Sequence, residues 1–400
     1  MALDCARDWL VDHGLPVVLA EVVMGYARCF DGIAVDRRYG HAGGVLCMVS
    51  LGHHLLATGS DDQMIRIWDM SAIYKRCVVH GHEGAIHGLD VLVEPNISSG
   101  SDDPACIALV SGSADTTVRL WRVVVNVDQT NRKNHPVACT QSLVLRGHTN
   151  GVMGVAGMQH NMIGSCSWDQ TVRIWQISDN LRAGVCLHVL VHPCGLTAMA
   201  WNGWDGWNIW NGMNIPNGSD VSIGTDVSIG MDVPNVSTRS SGRLVVGGFD
   251  GTFWVWGMGV VARSVARLRG HSLCVSSIVF MANHIIVTGS YDSHIRLWDN
   301  RYECIWILEG HRGYVLGLVV LDDQRVVSCS ADTTLRIWDT APRMGKTRGK
   351  PYNTWNRMIR GKRAPPIVIH TPHTQWICCI ETIDSMVISG SDDASMCRWI

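Results

Sequence analysis

Several things are missing from this 400-residue chain, and each absence closes a class of function. No stretch reaches about 18 uninterrupted apolar residues, so no helix of membrane-spanning length is expected and no membrane partner. The N-terminus offers Asp4 and Asp8 where a secretory signal would place bases, so the chain reads as neither exported nor anchored. The 15 cysteines are scattered singly apart from Cys378 and Cys379, without the C-x-x-C pairs of tetrahedral zinc sites, and they suit a reducing cytoplasm or nucleus. The N-x-S triplets at Asn96, Asn217 and Asn235 are then chance matches. A formal charge of −2 excludes a surface that grips nucleic acid or anionic lipid as a whole. There is no nucleophile elbow, zinc-ligand run or carboxylate pair, so no catalytic, cofactor-binding or metal-binding residue is nominated, and an enzyme is not expected.

What the chain has is repetition. With 46% hydrophobic residues it can fill a substantial core. Seven times an aspartate stands six residues before a tryptophan: Asp62 and Trp68, Asp115 and Trp121, Asp169 and Trp175, Asp250 and Trp256, Asp292 and Trp298, Asp332 and Trp338, Asp393 and Trp399. Upstream of each lies a histidine, namely His41, His82, His148, His192, His271, His311 and His370, at intervals of 21, 33, 21, 58, 21, 21 and 23 residues from the aspartate. Between these markers run short alternating segments such as IRIW, VRLW and VVSCS, broken by turn residues, which read as four strands per unit.

With its Gly-His and Trp-Asp markers over residues 40–400, the sequence resembles the WD-repeat β-propeller family. The resemblance implies an all-β fold: a seven-bladed β-propeller of four-stranded antiparallel blades. It also implies a polar tetrad in each blade, in which a turn aspartate holds the histidine, the histidine reaches a hydroxyl, and the hydroxyl meets the tryptophan N–H. The hydroxyl belongs four residues before the aspartate, at Thr58, Ser111, Ser165, Thr288, Ser328 and Ser389; the fourth unit has Val246 instead. These residues are assigned to architecture, since each blade keeps its own copy and no copy converges on another. The last unit ends at a third strand, so Gly32–Arg37 is expected to supply its fourth and close the ring. The propeller would then occupy residues 32–400, after a short helical N-terminal segment at residues 1–31.

Four inserts interrupt the repeat, at about residues 94–106, 123–140, 202–241 and 340–365, all emerging on one face of the disc because strands alternate in direction. The third begins with Trp201, Trp204, Trp207 and Trp210 and continues as an imperfect hexapeptide repeat, either a mobile low-complexity loop or a docking stripe; Trp201 itself ends a strand and belongs to the core. The fourth carries eight lysines and arginines and no acid between Arg343 and Arg363, either a solvated loop or a patch for an acidic partner, a phosphate backbone or nuclear import. Its GKT at Gly345–Thr347 is not a phosphate-binding loop, because Thr340 stands where the first glycine must.

The other face is the one on which the family commonly binds partners, through residues just before the turn aspartate and just after the histidine. Trp168, Phe249 and Tyr291 occupy the first position on three consecutive blades, and Tyr314 follows His311, so these four are the candidate partner-binding residues. The expected function is a non-catalytic scaffold for proteins or peptides, cytoplasmic or nuclear. The alternative is a substrate receptor of a ubiquitin ligase. Leu15, Pro16, Leu19, Val23 and Tyr26 resemble the first helix of an F-box, with no room for its later helices, so the stretch reads as an F-box remnant or a chance amphipathic run. Trp298, Asp299 and Arg301 resemble the W-D-x-R motif with which propeller receptors dock on a cullin adaptor. The phosphate-reading arginines that F-box and WD-repeat receptors place before the turn aspartate are absent.

Overall fold

The computed structural model describes residues 34–52, 54–70, 74–92, 105–125, 137–178, 180–203, 242–258, 262–281, 284–322, 325–340, 365–383 and 386–399. Its strands fall into seven four-stranded antiparallel sheets. Strand β1 (Ala34–Tyr39) precedes blade one, which is β2 (Val45–Gly52), β3 (Leu55–Ser60), β4 (Ile65–Asp69) and β5 (Tyr74–Val79). Blade two follows as β6 (Ile86–Val91), β7 (Ala105–Ser113), β8 (Val118–Val125) and β9 (Val137–Leu145), and blade three as β10 (Val152–Met158), β11 (Met162–Ser167), β12 (Thr171–Ile177) and β13 (Gly184–Val191). Blade four is β14 (Leu196–Asn202), β15 (Gly242–Gly248), β16 (Thr252–Met258) and β17 (Ala262–Arg269); blade five is β18 (Val275–Phe280), β19 (Ile286–Ser290), β20 (Ile295–Trp298) and β21 (Cys304–Leu308). Blade six is β22 (Val315–Asp322), β23 (Arg325–Ser330), β24 (Thr334–Asp339) and β25 (Ile367–His370), and blade seven comprises β26 (Ile377–Ile383), β27 (Met386–Ser391), β28 (Ser395–Trp399) and, as its outer strand, β1.

Burial follows position in the blade. Second strands such as β3 and β19 are buried at every residue, because both their faces meet neighbouring blades. The outer strand β13 instead alternates between half-buried and exposed residues. The apolar cores therefore lie between blades. Trp121 of blade two packs with Ile65 and Ile67 of blade one, and Trp175 of blade three with Val110 and Leu120 of blade two. The series closes where Trp68 and Val45 of blade one meet Ile388 and Met396 of blade seven. Glycine permits this approach at Gly59, where a Cβ would lie 2.7 Å from Ile86 of the next blade. At Gly270, in the Gly-His pair of the fifth unit, a Cβ would sit 2.6 Å from the Trp298 ring, which is why that pair needs its glycine.

The ring closes as expected, with a shift. The closing strand is described over Ala34–Tyr39, running two residues beyond the expected Arg37, with Gly32 and Ile33 outside the described residues; it is antiparallel to β28, with Arg37 opposite Cys397 and Tyr39 opposite Ser395. The insert boundaries also move inward, because strand pairing continues past the ends of the alternating pattern: Val123 pairs with Cys139 and Val125 with Val137, while Cys106 belongs to β7 and Asn202 to β14. The helical segment at residues 1–31 lies outside the described residues. Every internal stretch outside the description belongs to a first-to-second or third-to-fourth connection. The opposite face, made of second-to-third turns and the passages between blades, is described throughout.

Candidate functional site

The second-to-third turns set the geometry of that face. In each turn the residue after the aspartate has positive φ, for example 67° at Gln63, 68° at Gln170 and 64° at Thr333. A side chain tolerates this left-handed conformation because the aspartate stabilises it locally: Asp62 Oδ1 accepts the N–H of Met64 at 3.0 Å, and Asp169 Oδ1 that of Thr171 at 2.9 Å. The other carboxylate oxygen is then free to reach across the blade. In blade three it accepts from His148 Nδ1 at 2.8 Å, His148 Nε2 accepts from the Ser165 hydroxyl at 2.8 Å, and the Ser165 oxygen accepts from Trp175 Nε1 at 2.9 Å. The same chain links His82, Asp115, Ser111 and Trp121, with all separations between 2.7 and 2.8 Å. It recurs through His271, Asp292, Thr288 and Trp298 and through His311, Asp332, Ser328 and Trp338. In blade one, His41, Asp62, Thr58 and Trp68 are joined by Arg66, which bonds the carboxylate and crowds the histidine.

Burial alone would raise these aspartates, but the bonds they accept outweigh it. Asp62, Asp115, Asp292, Asp332 and Asp393 are held well below the carboxylate range, and Asp169 at about 2. Sequence reasoning missed one member of the network. The hydroxyl two residues after the aspartate donates to it at 2.6 Å in Thr117, Thr171 and Thr334, and the Ser395 hydroxyl also donates to Asp393.

Two blades depart from the expected sets. In blade seven the histidine is His373, not His370. His373 Nε2 lies 2.8 Å from Ser389 Oγ and Nδ1 2.9 Å from Ser395 Oγ, whereas His370 ends the outer strand β25 opposite Thr334. A strand residue of blade six cannot reach the turn of blade seven. In blade four no hydrogen bond among the described residues joins His192 to Asp250. With Val246 in the hydroxyl position, Trp256 Nε1 donates directly to His192 Nε2 at 3.2 Å, and His192 Nδ1 donates to the Leu190 carbonyl at 3.1 Å. Asp250 keeps its turn role, accepting from Thr252 N at 3.0 Å, and this bond, the Cys194 thiol and the Arg267 charge hold its carboxyl below the usual carboxylate range.

On this scaffold the blades display a ring of paired positions. The residue before each aspartate donates its N–H to the carbonyl of the residue three after the histidine: Asp61 to Gly44, Ala114 to Ala85, Trp168 to Gly151, Phe249 to Gly195, Tyr291 to Cys274, Ala331 to Tyr314 and Asp392 to Trp376, at 2.8 to 3.1 Å. Adjacent pairs touch, as where a Cβ on Gly195 would lie 3.5 Å from Trp168. Four of the five aromatics on the ring are open to solvent: Trp168 (48% exposed), Phe249 (61%), Tyr314 (39%) and Trp376 (49%). Tyr291 and Tyr314 stack with centroids 4.6 Å apart and planes 13° apart, and Trp376 meets Tyr314 edge to face at 5.9 Å. Trp376 was not picked out from the sequence, because counting from His370 hid its place three residues after the true histidine.

Arg301 and Asp299 lie on the opposite face, in the turn between β20 and β21, where Asp299 Oδ1 accepts from Arg301 N at 3.0 Å and Glu303 N at 2.9 Å and Arg301 is exposed. Leu15, Pro16, Leu19 and Tyr26, the Trp204–Trp210 row and the basic stretch 343–363 lie outside the described residues. No group of three or more histidine, cysteine, aspartate or glutamate side chains among the described residues is placed to hold a metal ion, and no described helix is long and apolar enough to cross a membrane.

Five stretches, residues 34–69, 74–122, 139–176, 262–299 and 302–339, match the WD domain, G-beta repeat family. The undetected units are blade four, with its altered tetrad, and blade seven, with its displaced histidine. Among curated relatives, WD repeat-containing protein pop1 of Schizosaccharomyces pombe is 30% identical over 184 residues, covering 40% of this chain and 23% of its own. A ribosome biogenesis protein WDR12 homolog of Anopheles gambiae is 30% identical over 139 residues, 31% of this chain and 29% of its own. Nuclear distribution protein nudF of Aspergillus niger is 27% identical over 271 residues, 62% of this chain and 47% of its own. The matched stretches thus span from about a quarter to about half of the length of these relatives.

Proposed function

Because the chain is a WD-repeat protein folded as a closed propeller, we propose that it is a non-catalytic scaffold that holds protein partners on the face carrying the aromatic ring. The observation that supports this reading is the run of Trp168, Phe249, Tyr291, Tyr314 and Trp376 on five consecutive blades, four of them exposed. Large rigid aromatics left in water at the centre of a rim are the residues from which interface hot spots are built. The polar tetrads stay architectural, each sealed within its own blade. The names of the WDR12 homologs, ribosome biogenesis proteins, favour a place among the proteins of ribosome biogenesis.

Affinity capture with quantitative mass spectrometry, from nuclear and cytoplasmic extracts of the source cells, tests the reading. Comparison of the wild type with Tyr314→Ala/Trp376→Ala should show partners lost by the variant at an unchanged melting temperature. An identical partner set would remove the ring from the function.

A ubiquitin-ligase receptor is the second reading, favoured by the exposed Arg301 in its W-D-x-R turn and by the F-box-like residues Leu15, Pro16, Leu19 and Tyr26. It requires cullin or its adaptors among the captured proteins and their loss on Arg301→Ala.

A further inference from the structure

The ring is unequal around its circumference, and the inequality specifies what it takes. Blades three to seven contribute aromatics. Blades seven, one and two contribute acids: Asp392 and Asp61, each just before its turn aspartate, and Glu83, just after His82, all exposed. Between them the ring positions shrink to Gly44, Ala85 and Ala114. The absence of a side chain at Gly44 matters, since a Cβ there would run into the Asp392 carboxylate, and one on Gly43 would lie 3.3 Å from Asp61 Cβ. The acidic side is thus a low floor beside the Trp376 wall. No lysine or arginine among the described residues pairs with Asp61 or Asp392. The titratable neighbour of Asp61 is half-buried His87, which burial holds below its ordinary range while Asp61 pulls it upward. Arg312, after His311, is the one base directly following a ring histidine, and it stands on the aromatic side.

We infer that this face binds an arginine-bearing segment of a protein partner, the guanidinium seated between the Trp376 indole and the Asp61 and Asp392 carboxylates, with apolar flanks along the aromatic arc. The inference deepens the scaffold reading and rests on it. Charge complementarity excludes an acidic or phosphorylated segment, because two carboxylates and no base occupy the seven positions before the turn aspartates. Tyr291 and Tyr314, stacked 4.6 Å apart, leave no slot for a cation between them, so the aromatic open to one on the acidic side is the exposed Trp376. A planar guanidinium stacks on an open indole face and offers a fork of N–H donors to adjacent carboxylates.

The test uses the full chain and four pools of blocked nonapeptides, randomised except for a central arginine, citrulline, lysine or glutamate, with binding read by fluorescence polarisation. The arginine pool should bind about tenfold more tightly than the isosteric neutral citrulline pool, as expected when a charge-assisted pair is lost. Asp61→Asn/Asp392→Asn should erase that preference, Trp376→Ala should weaken arginine binding, and Arg301→Ala on the far face should do neither. Equal binding of the arginine and citrulline pools, a preference that survives the double asparagine variant, or no binding of the arginine pool overturns the inference. The scaffold reading fails separately, when Tyr314→Ala/Trp376→Ala leaves the captured partners unchanged.

Discussion

Blades three and four carry the same aspartate–tryptophan spacing and a histidine upstream, yet they are held by different physics. In blade three the Ser165 hydroxyl joins ring to indole, so His148 faces Asp169 and Trp175 is 3% exposed. In blade four Val246 removes that junction. His192 turns to a backbone carbonyl, and Trp254, at the position of Arg173 in blade three, packs against it edge to face at 4.7 Å. Arg267 lies over the Trp254 ring at 5.7 Å, so aromatic contacts occupy the space the polar chain fills elsewhere. The comparison teaches that the hydroxyl, the smallest member, decides whether the histidine and aspartate meet.

The largest expected effect separates the two tryptophans. Trp175→Ala removes a buried ring together with the donor of the tetrad and should cost about 3–5 kcal/mol in urea unfolding. Trp256 is only half-buried, and Trp256→Ala should cost about half as much. Equal losses would mean that the blade-four tryptophan carries as much of the fold as its tetrad-bound counterpart.

Next in size come the junction positions. Ser165→Ala leaves the indole N–H and the imidazole nitrogen buried without a partner and should cost about 1–3 kcal/mol. The converse, Val246→Ser, should also destabilise, by about 1–2 kcal/mol, because a hydroxyl buried there finds His192 Nε2 already accepting from Trp256. A gain in the urea midpoint would show that the hydroxyl alone rebuilds the missing network.

The same contrast explains how much could be read in advance. The number of units followed from the seven aspartate–tryptophan pairs, because that spacing is fixed by one turn and one short strand, while four strands per unit followed from the alternating segments and the propeller from the resemblance to the WD-repeat family. The histidine sits at the end of a variable passage between blades, so its position is less constrained. In blade seven, Pro372 replaces the marker glycine and His370 precedes His373 by three residues. The interval of 20 residues from His373 to Asp393 is nearer the prevailing 21 than the 23 from His370, a signal that was present and was outweighed by order along the chain. Counted from His370, the sequence places four aromatics on the ring, ending at Tyr314, and passes over Trp376. The hydroxyls at Thr117, Thr171, Thr334 and Ser395 were legible as a recurring residue type, but nothing in sequence says that a turn threonine points back at its own aspartate.

The smallest effects are those of pH, and their signs differ between regions. Burial lowers both His148 and His192, but His148 keeps the Asp169 carboxylate to stabilise its charge, whereas His192 has only the Leu190 carbonyl and falls to about 4. A histidine depressed in the fold contributes stability above its unfolded value near 6.5, and the contribution of His192 is lost as pH falls from there to about 4. Asp169, depressed to about 2, contributes above its unfolded value near 3.9, and that contribution is lost only as pH falls from 3.9 through 2. Amide exchange should therefore show blade four loosening before blade three as a solution is acidified. Two inner-strand carboxyls run the other way. Burial pushes Asp90 up to about 6 and Glu381 up to about 7, and a carboxyl raised in the fold contributes stability fully present below its unfolded value, near 3.9 for aspartate and 4.3 for glutamate, and lost as pH rises through the folded one. Glu381→Gln should accordingly raise the urea midpoint at pH 8, by the equivalent of about 1 kcal/mol or less, and leave it unchanged near pH 4. A variant that is less stable at pH 8 would show instead that the ionised Glu381 has a partner holding it in place.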